Sequence, residues 1–317
     1  MTSRNDQLDL LCSQVSDHYV FPDVANEIVA VLRGRIAEGS YTGLDDDAAF
    51  AEAVTRDLQS VNGDKHLRLL HSVEVVPEHD AFDLEAYREQ AGLCAYGFAR
   101  VELLAGNVGL LDIRSLYDAG LAGERATAAM TLVAGADALI VDLRRNGGGS
   151  PNMIALLCSY LFDEPTHLNS LYWRASDTTE QYWTLPYVPG ARYGGEKPVY
   201  VLTSAYTFSG AEELSYNLQS RSRATIVGET TRGGAHPGTR YYIGPHLKSA
   251  VPSGRAINPV TGTNWGGAGV QPDLKVAADD ALDVAYGLAL QHVLTLGEEG
   301  ARRPVADAAR GALQELG

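Results

Sequence analysis

Ser209 stands in the stretch AYTFSGAEEL, Ala205 to Leu214, where a run of β-formers (PVYVLTS) gives way to a helical pattern. A serine at such a joint has two chemical readings. It can cap the helix, and Ser209 with Glu212 fits the S-x-x-E capping box. It can also serve as a nucleophile, because a helix N-terminus favours developing negative charge and the Gly210 N–H would point toward it. A serine nucleophile needs a base, since its hydroxyl hardly ionises near neutral pH. Eight histidines and four lysines (Lys65, Lys197, Lys248, Lys275) supply the candidates. His66, in GDKHLRL, falls where a helical region meets the first strand. His236, in RGGAHPG, follows a strand end within a glycine-rich loop. A surface or structural role is the ordinary alternative for either imidazole.

A second unusual stretch is VDLRRNGGGSP, Val141 to Pro151. A strand-like run ends in three glycines, a serine and a proline at a first helical turn. Glycines allow close backbone approach, and the N–H groups of a helix start favour anions, which is what an oxyanion hole requires. A plain strand-to-helix turn, with Ser150 as cap and Pro151 at the first helical position, is the simpler reading of this stretch alone. The Lys-Ser/Thr pair of a phosphate-binding P-loop is missing.

These stretches need a scaffold. Roughly the first 62 residues read as helices. Val24, Ile28, Val31, Leu32 and Ile36 share one helical face, with Pro22 in a tolerant first turn and Asp45 to Asp47 ahead of the next helix. From DKHLRLLHSVEVV the period turns strand-like. PEHDAFDLEAYREQAG reads as a loop or short helix. Strand-like runs follow at ARVELL, NVGLLDIRSL, DALIVDLRR, KPVYVLTS and ATIVGE. They alternate with helical patterns at 120–134, 151–161 and 210–219, and helices close the chain at DDALDVAYGLALQHVL and 301–316. Strands alternating with helices imply parallel crossovers in an α/β layer, with ligands at the carboxyl ends of strands.

Composition bounds the rest. The 317 residues are 45% hydrophobic and 21% charged, an ordinary globular balance. A formal charge of −15 argues against nucleic acid or an anionic membrane as partner. Cys12, Cys94 and Cys158 are widely spaced, so neither a metal site nor any cofactor is expected. The first residues, MTSRNDQLDL, contain no apolar signal core, and the expected location is cytoplasmic.

Four stretches occur in an order that resembles one family: VDLRRNGGGSPNMIALLCSYLF, LTSAYTFSGAEELSYNLQ, RATIVGETTRGGAHPG and VPSGRAINPVTGTNWGGAGVQPD. They are similar to the tail-specific, or C-terminal processing, serine peptidases, whose relatives include the tricorn core protease and interphotoreceptor retinoid-binding protein. HYVFPDVANEIVAVL and DKHLRL resemble the helical N-terminal region of the retinoid-binding-protein-like branch. The resemblance implies an α/β fold, a crotonase/ClpP-like stack of ββα units preceded by a small N-terminal helical domain. The boundaries it suggests are 1–74 for the helical domain and 75–317 for the core, with no PDZ insertion.

Carried over by motif, Ser209 is the nucleophile, His66 the base, and the Gly148 and Gly210 amides the oxyanion donors. His236 stands as an alternative base or substrate contact. A Ser–Lys dyad is excluded, because Gly234 occupies the position of the lysine in the tail-specific branch. Two departures bear on function: Gly266 stands where the family often has a glutamate, and Lys65 where the tricorn-like branch has a serine. The expected function is therefore a serine hydrolase acting on a peptide or small-molecule substrate. The alternative is a non-proteolytic relative, a repurposed biosynthetic enzyme or an apolar small-molecule binder using the same cleft.

Overall fold

The computed structural model describes residues 3–78 and 83–317. The chain begins with helices α1 (Arg4–His18), α2 (Pro22–Ala37) and α3 (Asp47–Leu58). Ser3 and Asp6 cap α1 reciprocally, Pro22 opens α2, and Asp46 accepts the Ala49 N–H at the start of α3. Strand β1 (Arg68–His71) is shorter than the apolar run around it, and α4 (Leu84–Leu93) occupies the end of the polar stretch that follows. Residues 79–82 of that stretch lie outside the described residues.

Next come β2 (Phe98–Leu104), β3 (Val108–Ile113), α5 (Ala119–Val133), β4 (Ala138–Asp142) and α6 (Pro151–Ser159). Then follow β5 (His167–Trp173), β6 (Thr178–Trp183), β7 (Val199–Thr203), α7 (Gly210–Ser220) and β8 (Thr225–Gly228). The chain ends with β9 (Gly238–Gly244), β10 (Leu247–Pro252), β11 (Gly254–Ile257), β12 (Leu274–Lys275), α8 (Ala281–Thr295) and α9 (Arg303–Leu316).

Contacts divide the chain into two compact units. One comprises residues 1–83, 170–180 and 234–257; the other comprises 84–169, 181–233 and 258–317. In the first, α1 to α3 pack on an antiparallel sheet of order β1–β10–β9. Leu8, Leu11, Val15, Ile28, Leu32, Phe50 and Val54 from the helices meet Leu67, Leu69, Ile243, Leu247 and Val251, all buried. In the same unit β11 pairs antiparallel with β5, from Gly254 opposite Trp173 to Ile257 opposite Ser170.

The second unit is built on a six-stranded mixed sheet of order β12–β8–β7–β4–β3–β2. Only the β2–β3 pair is antiparallel. Successive strand side chains face opposite ways, and here both faces are covered. Leu139 and Val141 of β4, with Val199 and Val201 of β7, join the cluster under α5, α6 and α7. Ala138, Ile140 and Leu202 join the cluster under α8 and α9. A sheet buried on both faces explains why β4 reads as a continuous apolar run rather than an alternating one. The expected α/β architecture, with a helical region ahead of a mixed-sheet core, is the one observed. Parallel β4 and β7 end at the same sheet edge, and the two chemically unusual loops follow them.

Candidate active site

Ser209, Gly148 and Gly210 come together in the second unit. The loop after β4 and the loop after β7 are joined by hydrogen bonds: Thr207 Oγ1 and Ser204 Oγ donate to the Leu143 and Arg144 carbonyls, and the Phe208 N–H donates to the Asn146 carbonyl. Asn146 is fully buried and donates to the Ile113 carbonyl. This zipper carries Ser209, at the head of α7, against the glycine run. Gly148 has φ +109°, and a Cβ there would stand 2.8 Å from both Gly210 N and Ser209 Cβ. Only glycine fits.

The backbone of Ser209 departs from that of an ordinary cap. An ordinary N-cap residue is extended, as Ser3, Asp46 and Ser150 are here. Ser209 instead has φ +54° and ψ −120°. A residue with a Cβ held in that region costs about 1–3 kcal/mol, and such strain collects at functional turns. A sharp strand-to-helix turn that thrusts a serine outward is the recurring nucleophile elbow of unrelated hydrolases. Ser209 remains half-buried.

Glu212 holds the strained turn in place. Its carboxylate is completely buried; Oε2 accepts the Ser209 N–H at 2.8 Å, and Oε1 accepts the Thr231 hydroxyl at 2.5 Å and the Gly233 N–H at 2.6 Å. One side chain thus ties the serine turn to the glycine-rich loop after β8. The capping-box signature in the sequence marked this residue, but not its second attachment.

The oxyanion candidates differ in state. The Gly148 N–H donates to Asn146 Oδ1 at 2.8 Å. The Gly149 and Gly210 amides make no hydrogen bond among the described residues, and a Cβ on Gly210 would stand 2.9 Å from Gly149 N. Two adjacent unengaged N–H groups beside a serine can stabilise an oxyanion.

Asp64, His66 and His236 come together in the first unit. Asp64 is 3% exposed and meets three groups at its two oxygens: Oδ1 takes the His66 backbone N–H at 3.0 Å, while Oδ2 faces His236 Nδ1 at 2.8 Å and takes the Tyr19 hydroxyl at 2.9 Å. Asn62 Nδ2 donates in turn to the Tyr19 hydroxyl at 2.7 Å. Burial pushes the Asp64 carboxyl up, but hydrogen bonding and charge at His236, the His66 amide and Tyr19 outweigh it and hold it below the usual range. Burial, then the Asp64 charge, drive the Tyr19 phenol far above its ordinary value. An ionised Asp64 facing Nδ1 favours a proton on that nitrogen and fixes the orientation of the ring. Phe21 packs edge-on against the His236 ring, with centroids 5.2 Å apart.

The Asp64 side chain, two positions before His66 in GDKHLRL, therefore faces His236 instead. Glu229 accepts the Ala205 N–H. Gly266 is not among the described glycines with positive φ. Tyr19 and Asn62, which complete the network, carry no local signal as site residues beyond lying in HYVFP and VNGD. No group of three or more His, Cys, Asp or Glu among the described residues could hold a metal ion. No described helix is long and apolar enough to cross a membrane.

An α/β core that ends two parallel strands in a glycine loop and a strained serine turn defines a serine-hydrolase type of scaffold. The chain belongs to peptidase family S41, whose model matches residues 107–276. The model for the N-terminal domain of peptidase S41 in eukaryotic IRBP matches residues 7–89. Among solved structures, a candidate peptidase from Parabacteroides merdae ATCC 43184 is 16% identical over 94% of this chain and 98% of its own, with a TM-score of 0.62. A lipoprotein from Streptococcus agalactiae is 16% identical over 93% of this chain and 96% of its own, at 0.57. The photosystem II D1 C-terminal processing protease is 15% identical over 88% and 94%, at 0.52. At these identities the likeness is one of fold.

Proposed function

We propose that this protein is a serine hydrolase that cleaves peptide bonds, with Ser209 as nucleophile and His236, oriented by Asp64, as general base. The observation that carries the reading is the strained backbone of Ser209, held by a buried carboxylate. As Ser209 Oγ bonds to the substrate carbonyl carbon, its proton passes to the general base and the carbonyl π electrons move onto oxygen. The Gly210 and Gly149 amides stabilise that oxyanion, Gly148 being occupied with Asn146. Collapse expels the amine, which takes the proton back from the base, and water repeats the sequence on the acyl-enzyme.

His66 is the base that the family resemblance suggests, and its backbone shares Asp64 with His236. His236 is preferred because a base gains tautomer control and imidazolium stabilisation from a carboxylate on its other nitrogen. The test is labelling with a fluorophosphonate probe, followed by peptide mapping. Labelling at Ser209, lost in Ser209→Ala, supports the reading. A Ser209→Ala protein that keeps full activity overturns it, and would favour the alternative of a cleft rebuilt for non-proteolytic chemistry.

A further inference from the structure

Beside the serine turn, in the same unit, stands a guanidinium with no anionic partner. Arg232 is exposed, and its Cζ lies 4.9 Å from the ring centroid of Phe208, the residue before Ser209. Its backbone is fixed on both sides. The Arg232 N–H donates to the Thr207 carbonyl at 3.0 Å, and its two neighbours, Thr231 and Gly233, both donate to the Glu212 carboxylate that holds Ser209. The side chain is thus mounted on the same rigid assembly as the nucleophile. The guanidinium itself makes no hydrogen bond or ion pair among the described residues.

That vacancy is unusual for its surroundings. The chain carries forty Asp and Glu against twenty-five Lys and Arg. The arginines at the neighbouring strand ends are taken: Arg144 pairs with Asp142, and Arg114 and Arg145 with Asp112. Stacking on an aromatic face uses the π surface of a guanidinium and leaves its in-plane N–H fork available, the geometry that receives a carboxylate through two parallel hydrogen bonds.

Building on the serine-hydrolase reading, we infer that Arg232 is a specificity residue that receives a substrate carboxylate next to the bond attacked by Ser209. The substrate class is an acyl compound carrying a carboxylate close to the scissile carbonyl. The carboxylate can come from an acidic side chain or from a free chain end. A net-negative protein gains most from such a receptor, because a fixed positive charge is needed to offset repulsion of an anionic substrate.

The experiment measures rates of Ser209 labelling by matched fluorophosphonate probes. One probe carries its carboxylate on a short side arm, as an acidic side chain would; another carries it at the far end, as a chain terminus would. Each is compared with its carboxamide isostere, and the readout is the ratio of the two rates within one protein. In the wild type, at least one carboxylate probe is expected to label about ten- to a hundredfold faster than its isostere. The faster arm identifies the source. That ratio should fall toward one in Arg232→Gln, survive partly in Arg232→Lys, invert in Arg232→Glu, and shrink with added salt. Because the ratio is internal to each variant, a general loss of stability does not produce it. Ratios of one for both arms in the wild type, or a ratio unchanged in Arg232→Gln, would overturn the inference while leaving Ser209 as nucleophile. Absence of labelling by every probe would instead remove the hydrolase reading, and this inference with it.

Discussion

Asp64 Oδ2 and His236 Nδ1 lie 2.8 Å apart, joined across 172 positions of sequence, with the Tyr19 hydroxyl on the same oxygen. This is the arrangement that prepares an imidazole to accept a proton at Nε2. His236→Ala is therefore expected to lower turnover by about 10²- to 10⁴-fold, and His66→Ala by far less. Asp64→Asn should also cost about a hundredfold or more, since the amide stabilises the wrong tautomer. The reverse order for the two histidines would move the base to His66.

Ser209→Gly separates chemistry from stability. Glycine adopts φ +54° without the Cβ penalty. The variant should lose all labelling while its urea midpoint stays level or rises, by up to about 1 kcal/mol once the unfolded-state entropy of glycine is included. A large loss of stability would mean that the serine side chain, rather than the turn, was the structural element.

Glu212→Ala tests the clamp. Removing the carboxylate leaves the Ser209 N–H, the Gly233 N–H and the Thr231 hydroxyl without their acceptor in a buried place. The expected cost is about 3 kcal/mol or more in denaturant unfolding, together with loss of labelling. Normal labelling in a stable Glu212→Ala protein would show that the turn holds itself.

Glu213, the next residue, makes a prediction in pH. Burial pushes its carboxyl up to about 7, with the Asn169 and Asn217 side chains opposing the shift only in part. A raised folded pKa stabilises the protein below the unfolded value, near 4.3, and that contribution is lost as pH rises toward 7. Relative to Glu213→Gln, the wild type should lose on the order of 3 kcal/mol across that window, and nothing further above it. Asp64 has the opposite sign: its lowered pKa contributes stability at neutral pH that disappears as the solution becomes strongly acidic. Chemical denaturation at pH 5, 7 and 8.5 checks the Glu213 window directly.

Local features were legible before any coordinates. Pro22 at the start of α2, Asp46 ahead of α3, and the joint at Ser209 and Glu212 all depend on a few neighbouring residues. So did the buried run of β4, because a strand covered on both faces is apolar throughout. The positive φ of Ser209 was not legible, since it is imposed by contacts with a loop sixty residues earlier. Nor was the pairing of β1 with β10, where Arg68 faces Ala250. Strand β6 escaped because its side chains are largely exposed and carry no alternating apolar pattern. Asp64 lies two positions from His66 in sequence, whereas hydrogen bonding joins its side chain to the imidazole 172 positions away.

The β1–β10 pairing sets a schedule for biosynthesis. The sheet behind α1 to α3 draws its second and third strands from residues 238–252, so the N-terminal helices emerge from the ribosome long before the surface that buries Leu8, Ile28 and Phe50 exists. Pairings of such sequence separation form late, because a long loop must close before any contact repays it. Asp64 waits on the same event: until residue 236 has emerged, its carboxylate has no imidazole to orient. On the proposed mechanism, a chain still being translated therefore exposes Ser209 before the residue assigned as its proton acceptor has been made.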